Sequence, residues 1–275
     1  MILTDVHTHS AFSADGTSPL SEMVNTAKKA GFRYFGVSEH FDYDYKTQGI
    51  TAQGKPIRII DAPAYFAAAR VLQRQTESEN FRLLAGGEFG FANKKECFDL
   101  YAEIAEKYRP DFIVNSVHTC AGRDCFFTDY FDGKTKEYAY SLYLEKVLES
   151  LEAPYPFDVV AHVGYVARNA PYPDPKLRYE EYSDLLDGIL REIAAKNKIL
   201  EVNTSARTAG SAFLPDTDIL TRYFQLGGRE ITFSSDAHAP SRIGEKRETV
   251  CEALKRIGFS FITVPDCGKR IKVGI

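Results

Sequence analysis

Seven short runs rich in β-branched and aromatic residues recur along the chain, at residues 2–6, 34–38, 81–85, 112–116, 157–161, 198–202 and 230–233. Segments of helical period lie between and after them, at 17–31, 62–76, 95–108, 137–151, 179–196, 216–226 and 241–257. Strands that alternate with helices build a parallel sheet, because only a crossover connection returns the chain to start a parallel neighbour. The clearest helix is 17–31, where Ser18 is read as the cap and Pro19 as the first helical position. Leu20, Met23, Val24 and Ala27 form its apolar stripe, and Gly31 closes it. No G-x-G-x-x-G or P-loop pattern follows the first run, which removes the usual nucleotide-binding reason for an open doubly wound sheet. A closed or nearly closed (β/α) barrel is therefore the expected fold, as one domain over residues 1–275.

Composition narrows the partners. No apolar run reaches the length of a membrane span, and a net charge of −4 provides no electrostatic footprint for nucleic acid. Neither partner is expected. The five cysteines, Cys97, Cys120, Cys125, Cys251 and Cys267, are odd in number and lack a paired C-x-x-C pattern. They read as reduced thiols of a cytoplasmic protein, and no leader peptide is evident before Asp5. Nothing in the sequence specifies an oligomeric state.

The histidines are distributed with a clear rule. There are six, and each falls at the C-terminal end of a β-rich run. TDVHTHS supplies Asp5, His7 and His9, YFGVSEH supplies His40, and FIVNSVH supplies His118. FDVVAHVG supplies His162, and ITFSSDAH supplies Asp236 and His238, while LLAGGEF adds Glu88. Residues i and i+2 of a strand share a face, and strand C-termini gather at one mouth of a parallel barrel. Residues far apart in sequence are thus expected to converge. A nitrogen-rich set with interspersed carboxylates suits Zn²⁺, Fe²⁺ or Mn²⁺ better than Ca²⁺ or Mg²⁺, and six imidazoles exceed the need of one ion. The sixth run alone offers no expected ligand.

The motifs DVHTHS, FSADG, GVSEH, GGEFGF, NSVH, AHVGYVAR, EVNTSAR and SSDAH, in that order from residue 5 to residue 238, resemble those of the polymerase and histidinol phosphatase (PHP) family. The likeness is closest to its monofunctional histidinol-phosphate phosphatases. It implies a distorted (β/α)₇ barrel and three divalent metal ions, zinc, iron or manganese. By that resemblance one metal is held by His7, His9, Glu88 and Asp236, and a second by the bridging Glu88 with His118 and His162. The third falls to Asp15, His40 and His238, with Asp15 at a place where many relatives carry histidine. Asp5 is left as an outer partner that orients an imidazole.

Such a site implies hydrolysis of phosphate esters. Two metals about 3.5–4 Å apart can share a water and lower its pKa toward about 7. That bridging hydroxide could attack phosphorus with no protein nucleophile, while the third metal offsets charge. Asp236 and His238 are the candidates to pass a proton to the departing alkoxide. Arginine suits a phosphate dianion, and Arg168 and Arg207 are the expected phosphate binders, with Arg123 a weaker third. Cys120 and Cys125 are expected to be structural rather than metal-binding. The loop 42–63 is expected to cover the mouth, with Asp42 or Asp44 holding a cationic amine. The expected activity is hydrolysis of the small phosphate ester L-histidinol phosphate, in histidine biosynthesis. A phosphodiesterase or nuclease, a phosphatase for another small phosphorylated metabolite, and a non-catalytic metal-binding module are the alternatives.

Overall fold

In the computed structural model, which describes every residue except Gln53 and Ala209 and gives Ala52 by its backbone alone, seven parallel strands wind in sequence order. They are β1 (Thr4–Asp5), β2 (Tyr34–His40), β3 (Arg82–Gly90), β4 (Ile113–Ser116), β5 (Val159–Val160), β6 (Ile199–Asn203) and β7 (Ile231–Ser234). All six neighbouring pairs are parallel. Beyond the ends of β1 and β7 the chain pairs once more. Thr8 and Ala237 form a parallel bridge, His9 N–H donates to Ala237 C=O at 2.9 Å, and Asp236 N–H donates to His7 C=O at 2.9 Å. These bonds close the sheet into the expected (β/α)₇ barrel.

The helices are α1 (Leu20–Lys29), α2 (Tyr43–Gln48), α3 (Ala62–Thr76), α4 (Lys95–Tyr108), α5 (Lys136–Ser150), α6 (Ser183–Ala195), α7 (Thr217–Gln225) and α8 (Arg247–Ile257). Three starts differ from expectation. Pro19, not Ser18, precedes α1, and the Ser18 carbonyl instead accepts from Ala11 N–H at 2.8 Å. Only short 3₁₀ turns occupy Tyr179–Glu181 and Pro240–Arg242, so α6 and α8 begin later. Positive φ at Gly244 and Lys246 stops the last helix from extending backwards. A hairpin of β8 (Phe261–Asp266) and β9 (Lys269–Gly274) was not foreseen. It sends Val264 into the inner core and seals the N-terminal end of the barrel.

Strand alternation divides the core into two shells. Val6, Tyr34, Leu84, Phe112, Val114, Val159 and Ile199 pack inside the barrel, whereas Phe35, Val37, Leu83, Ala85, Leu200 and Phe233 face the helices. Phe112 fits only because its neighbours have no side chain. A Cβ on Gly86 would lie 2.5 Å from the Phe112 ring, and one on Gly36 would lie 2.8 Å from it. With the lower barrel filled and sealed, side chains at the upper strand ends face a single opening. Phe112→Ala should leave a cavity in the inner shell and cost about 3–5 kcal/mol of stability, read as a lowered urea midpoint.

Candidate active site

Glu88 is the centre of the opening. It projects from β3 and is buried. His118 Nε2 and His162 Nε2 approach its Oε1 at 3.1 and 2.9 Å. His7 Nε2, His9 Nε2 and His40 Nδ1 approach its Oε2 at 3.1, 3.6 and 2.8 Å. Asp236 Oδ1 lies 3.4 Å from His9 Nε2. At the rim His238 Nε2 meets Asp15 Oδ2 at 3.1 Å, and His40 Nε2 lies 3.8 Å from Asp15 Oδ1. All nine residues expected as ligands thus gather in one place. Burial opposes a charge on Glu88, but His7, His40, His118 and His162 hold it well below the usual carboxylate range. Burial, reinforced by His40 and His238, pushes the His9 imidazole well below its ordinary value.

Two backbone distortions aim these groups. His162 and Asp236 have φ of +61° and +52°, a left-handed conformation uncommon outside glycine and characteristic of functional sites. The surroundings hold both. His162 N–H donates to Glu201 Oε2 at 3.0 Å and its carbonyl accepts from Tyr143 Oη at 2.6 Å, while Asp236 N–H is part of the closing seam.

Hydrogen bonds on the far side of two rings fix which nitrogen carries a lone pair. His7 Nδ1 donates to Glu201 Oε1 at 2.5 Å, which leaves Nε2 unprotonated in the neutral ring. Ser13 Oγ donates to Glu39 at 2.5 Å, so its lone pair is free to accept from His9 Nδ1–H at 3.2 Å. Both Nε2 lone pairs therefore point at carboxylate oxygens. Among the buried polar atoms without a hydrogen-bond partner are His7 Nε2, His9 Nε2, His40 Nδ1, His238 Nε2 and Glu88 Oε2. Lone pairs facing anions in a buried site repel unless a cation, a proton on the ring or a metal ion, lies between them, and so dense a set of imidazoles and carboxylates fits divalent metal ions. Among the described residues four groups have ligand atoms close enough to share an ion: His9–His40–His238, His7–Glu88–His162, His7–His9–Asp236 and His40–Asp42–His118. None contains a cysteine, and Cys120 and Cys125 are buried.

Several expectations need correction. Strand β6 supplies supporting partners that were not anticipated: Glu201 holds His7 and the His162 backbone, and Asn203 Nδ2 donates to Asp236 Oδ2 at 3.3 Å. Glu201 occurs in EVNTSAR without a neighbouring histidine, so the pattern of histidines did not single it out. Asp5 orients no imidazole. Its carboxylate accepts from Ser235 N–H and Gly244 N–H, both at 3.0 Å, and so ties the two halves of the seam. Glu39, also not singled out, accepts from the backbone and hydroxyls of Ser10 and Ser13. Arg123 pairs with Asp129 at the surface and does not line the opening.

The opening is a cavity of about 670 Å³, walled by Asp15, His40, His118, His162, Asp236 and His238 on the metal side. Arg168 and Arg207 both line it. Arg168 is buried and donates to Asp236 Oδ2 at 2.8 Å and Asn203 Oδ1 at 3.0 Å, while Arg207 is exposed and sits over the Phe126 ring. The loop 42–63 lines the opening with Asp42, Tyr45 and residues 55–58, with Gln53 outside the described residues. Asp44 takes no part. It is packed against Gly90 and lies 3.5 Å from Tyr101 Oη, away from the cavity. A carboxylate not anticipated, Asp124, faces the cavity and accepts from Tyr45 Oη at 3.0 Å.

The sequence profile of the PHP domain matches residues 5–205. The chain belongs to the PHP domain family. It is 27% identical over 240 residues to a Clostridium acetobutylicum protein named probable histidinol-phosphatase, covering 87% of this chain and 88% of that one. It is also 27% identical over 257 residues to the histidinol-phosphatase of Lactococcus lactis, covering 93% and 91% of the two. A crystal structure of histidinol phosphate phosphatase from L. lactis, complexed with zinc, L-histidinol and phosphate, superposes with a TM-score of 0.81. Its sequence identity is 26%, and the match covers 98% of each chain. No helix among the described residues is long and apolar enough to cross a membrane.

Asp44 generates a test of its own. Burial pushes its carboxyl up to about 7. The folded chain keeps a proton that the unfolded chain loses near its ordinary value of 3.8, so this group makes stability fall as pH rises from about 4 to about 7. Asp44→Asn removes that dependence. The urea midpoint of the variant relative to the parent is expected to rise between about pH 5 and about pH 7.5.

Proposed function

We propose that this PHP-family protein is a phosphoric monoester hydrolase that cleaves L-histidinol phosphate to L-histidinol and phosphate, using three divalent metal ions. The observation that carries the reading is the array of imidazole lone pairs and buried carboxylates around Glu88, opening into a cavity of metabolite size. Its likeness to a phosphatase holding zinc, L-histidinol and phosphate supports the choice of substrate.

His7, His9, Glu88 and Asp236 would hold one ion, Glu88 with His118 and His162 a second, and Asp15, His40 and His238 a third. When bound, the ions supply Lewis acidity toward water and the phosphoryl oxygens. Glu201 and Ser13 keep His7 and His9 in the tautomer that presents Nε2. Arg168 lies at the boundary between metal ligands and substrate. Part of its guanidinium holds Asp236, and its buried Nε has no partner, leaving a donor for a phosphoryl oxygen. Arg207 brings a second positive charge from the outer wall, where side-chain freedom suits it to closing on a bound phosphate. Asp236 stays ionised, because Arg168 and nearby imidazoles outweigh its burial. It therefore suits cation binding, as does His238 Nε2 at the rim beside Asp15, because the His238 ring keeps its one proton on Nδ1, 3.0 Å from the Asp236 carbonyl. Asp42 and Asp124 face the cavity among Tyr45, Phe126 and Tyr165. This wall offers anions to the substrate ammonium and flat rings to its imidazole.

The direct test is to purify the protein with its metals and compare turnover of L-histidinol phosphate, an aryl phosphate and a bis-aryl phosphodiester. Histidinol phosphate should have the highest kcat/KM, and a preference for the diester would overturn the reading. Glu88→Ala should lower both metal content and rate, with kcat/KM reduced at least about 100-fold. Full loading and full rate in that variant would refute the bridging role.

A further inference from the structure

Residues 55–58 form an outer wall of the cavity, with Lys55, Pro56, Ile57 and Arg58 all lining it. Lys55 and Pro56 are exposed, so little apolar burial seats this strap. Ile60, two residues beyond, is buried in the main core, and within the strap the tie to the far wall of the mouth is one exposed side chain. Arg58 Nη1 donates to Phe12 C=O at 3.2 Å, while Nη2 donates to Ala11 C=O at 3.1 Å and also to Ser13 C=O. These carbonyls belong to one turn. Glu39 holds that turn from beneath through Ser10 and Ser13, and the chain leaves it toward Asp15, which faces His238 and His40. The Arg58 guanidinium thus ties the cover of the cavity to the turn that presents Asp15.

Three of its donor hydrogens are taken by protein carbonyls, which argues against a role as a phosphate ligand. Its geometry also requires arginine. A planar fork can reach several carbonyls of one turn, whereas a lysine ammonium is a single point of attachment.

We infer that Arg58 is a latch: it seats residues 55–58 over the mouth, completes the substrate cavity and restricts the site to small phosphate monoesters. This inference rests on the phosphomonoesterase reading for its selectivity and on hydrogen bonding alone for the latch. A released strap would leave the ligands around Glu88 in place, so the loss should fall on substrate retention and size selection.

The test uses the metal-loaded full chain with Arg58→Met and Arg58→Lys. Hydrogen exchange of peptides covering residues 10–15 and 54–60 reads the latch without substrate, and steady-state kinetics with L-histidinol phosphate and 1-naphthyl phosphate reads its consequence. In Arg58→Met both peptides should exchange about tenfold faster. KM for histidinol phosphate should rise about 5–20-fold with kcat within about threefold, and the relative kcat/KM for the naphthyl ester should rise at least about fivefold. Arg58→Lys should fall between the two proteins. Unchanged exchange in both peptides would overturn the latch, and so would a fall in kcat with exchange and KM unchanged, since that places the guanidinium on the reacting phosphate. If histidinol phosphate is not a substrate of the parent while the naphthyl ester is, the substrate assignment fails, and the exchange data still decide the latch.

Discussion

Closure of the barrel and assembly of the site are one event. The segments that complete the sheet, around Thr8 and Ala237, carry His7, His9, Asp236 and His238, and their backbone bonds make the final junction. A parallel sheet that stayed open at this edge would leave those groups on two separate strand ends. Asp5 reinforces the junction from below by accepting N–H groups on both sides of Ala237, at Ser235 and Gly244. The two ends of the sequence are thereby committed to each other before a substrate arrives.

The site within this ring is costly to build. Glu88, Glu201 and Asp236 are buried together with several imidazoles, and uncompensated charges there would oppose folding. Much of the compensation is local. Arg168 and Asn203 serve Asp236, Ser116 Oγ donates to Glu88 at 2.5 Å, and Glu201 serves His7 and the strained His162 backbone. What these partners do not neutralise is the convergence of lone pairs and carboxylates, and a multivalent cation centre is the chemistry that does. Fixed outer hydrogen bonds then reduce the reorganisation required when ions and substrate bind.

The two ends of the barrel divide the work. Below, Phe112 fills space left by Gly36 and Gly86, and Val264 on the C-terminal hairpin seals the base. Above, the strand ends supply rigid ligands while loops supply the cavity wall. Variation in loops around a fixed set of strand-end side chains is general for barrels whose active sites lie at the C-terminal strand ends.

Much of this was legible in the chain. Strand-helix alternation identified the barrel, and the placement of all six histidines identified its working end, because period and strand position are local properties. The strand ends also supplied Glu88, and the family motifs added Asp15 and supported the two cavity arginines. Local pattern could not supply the partners across the fold. Glu201 belongs to a run with no histidine, Asp44 and Asp42 are two residues apart yet face different environments, and Asp124 acquires its role only beside Tyr45 from another loop. The sequence by itself determined which residue types could bind metal and on which strand ends they stand. Tertiary structure alone decided which nitrogen each buried ring presents and which carboxylates reach the cavity, because both depend on hydrogen bonds and packing between residues distant in sequence.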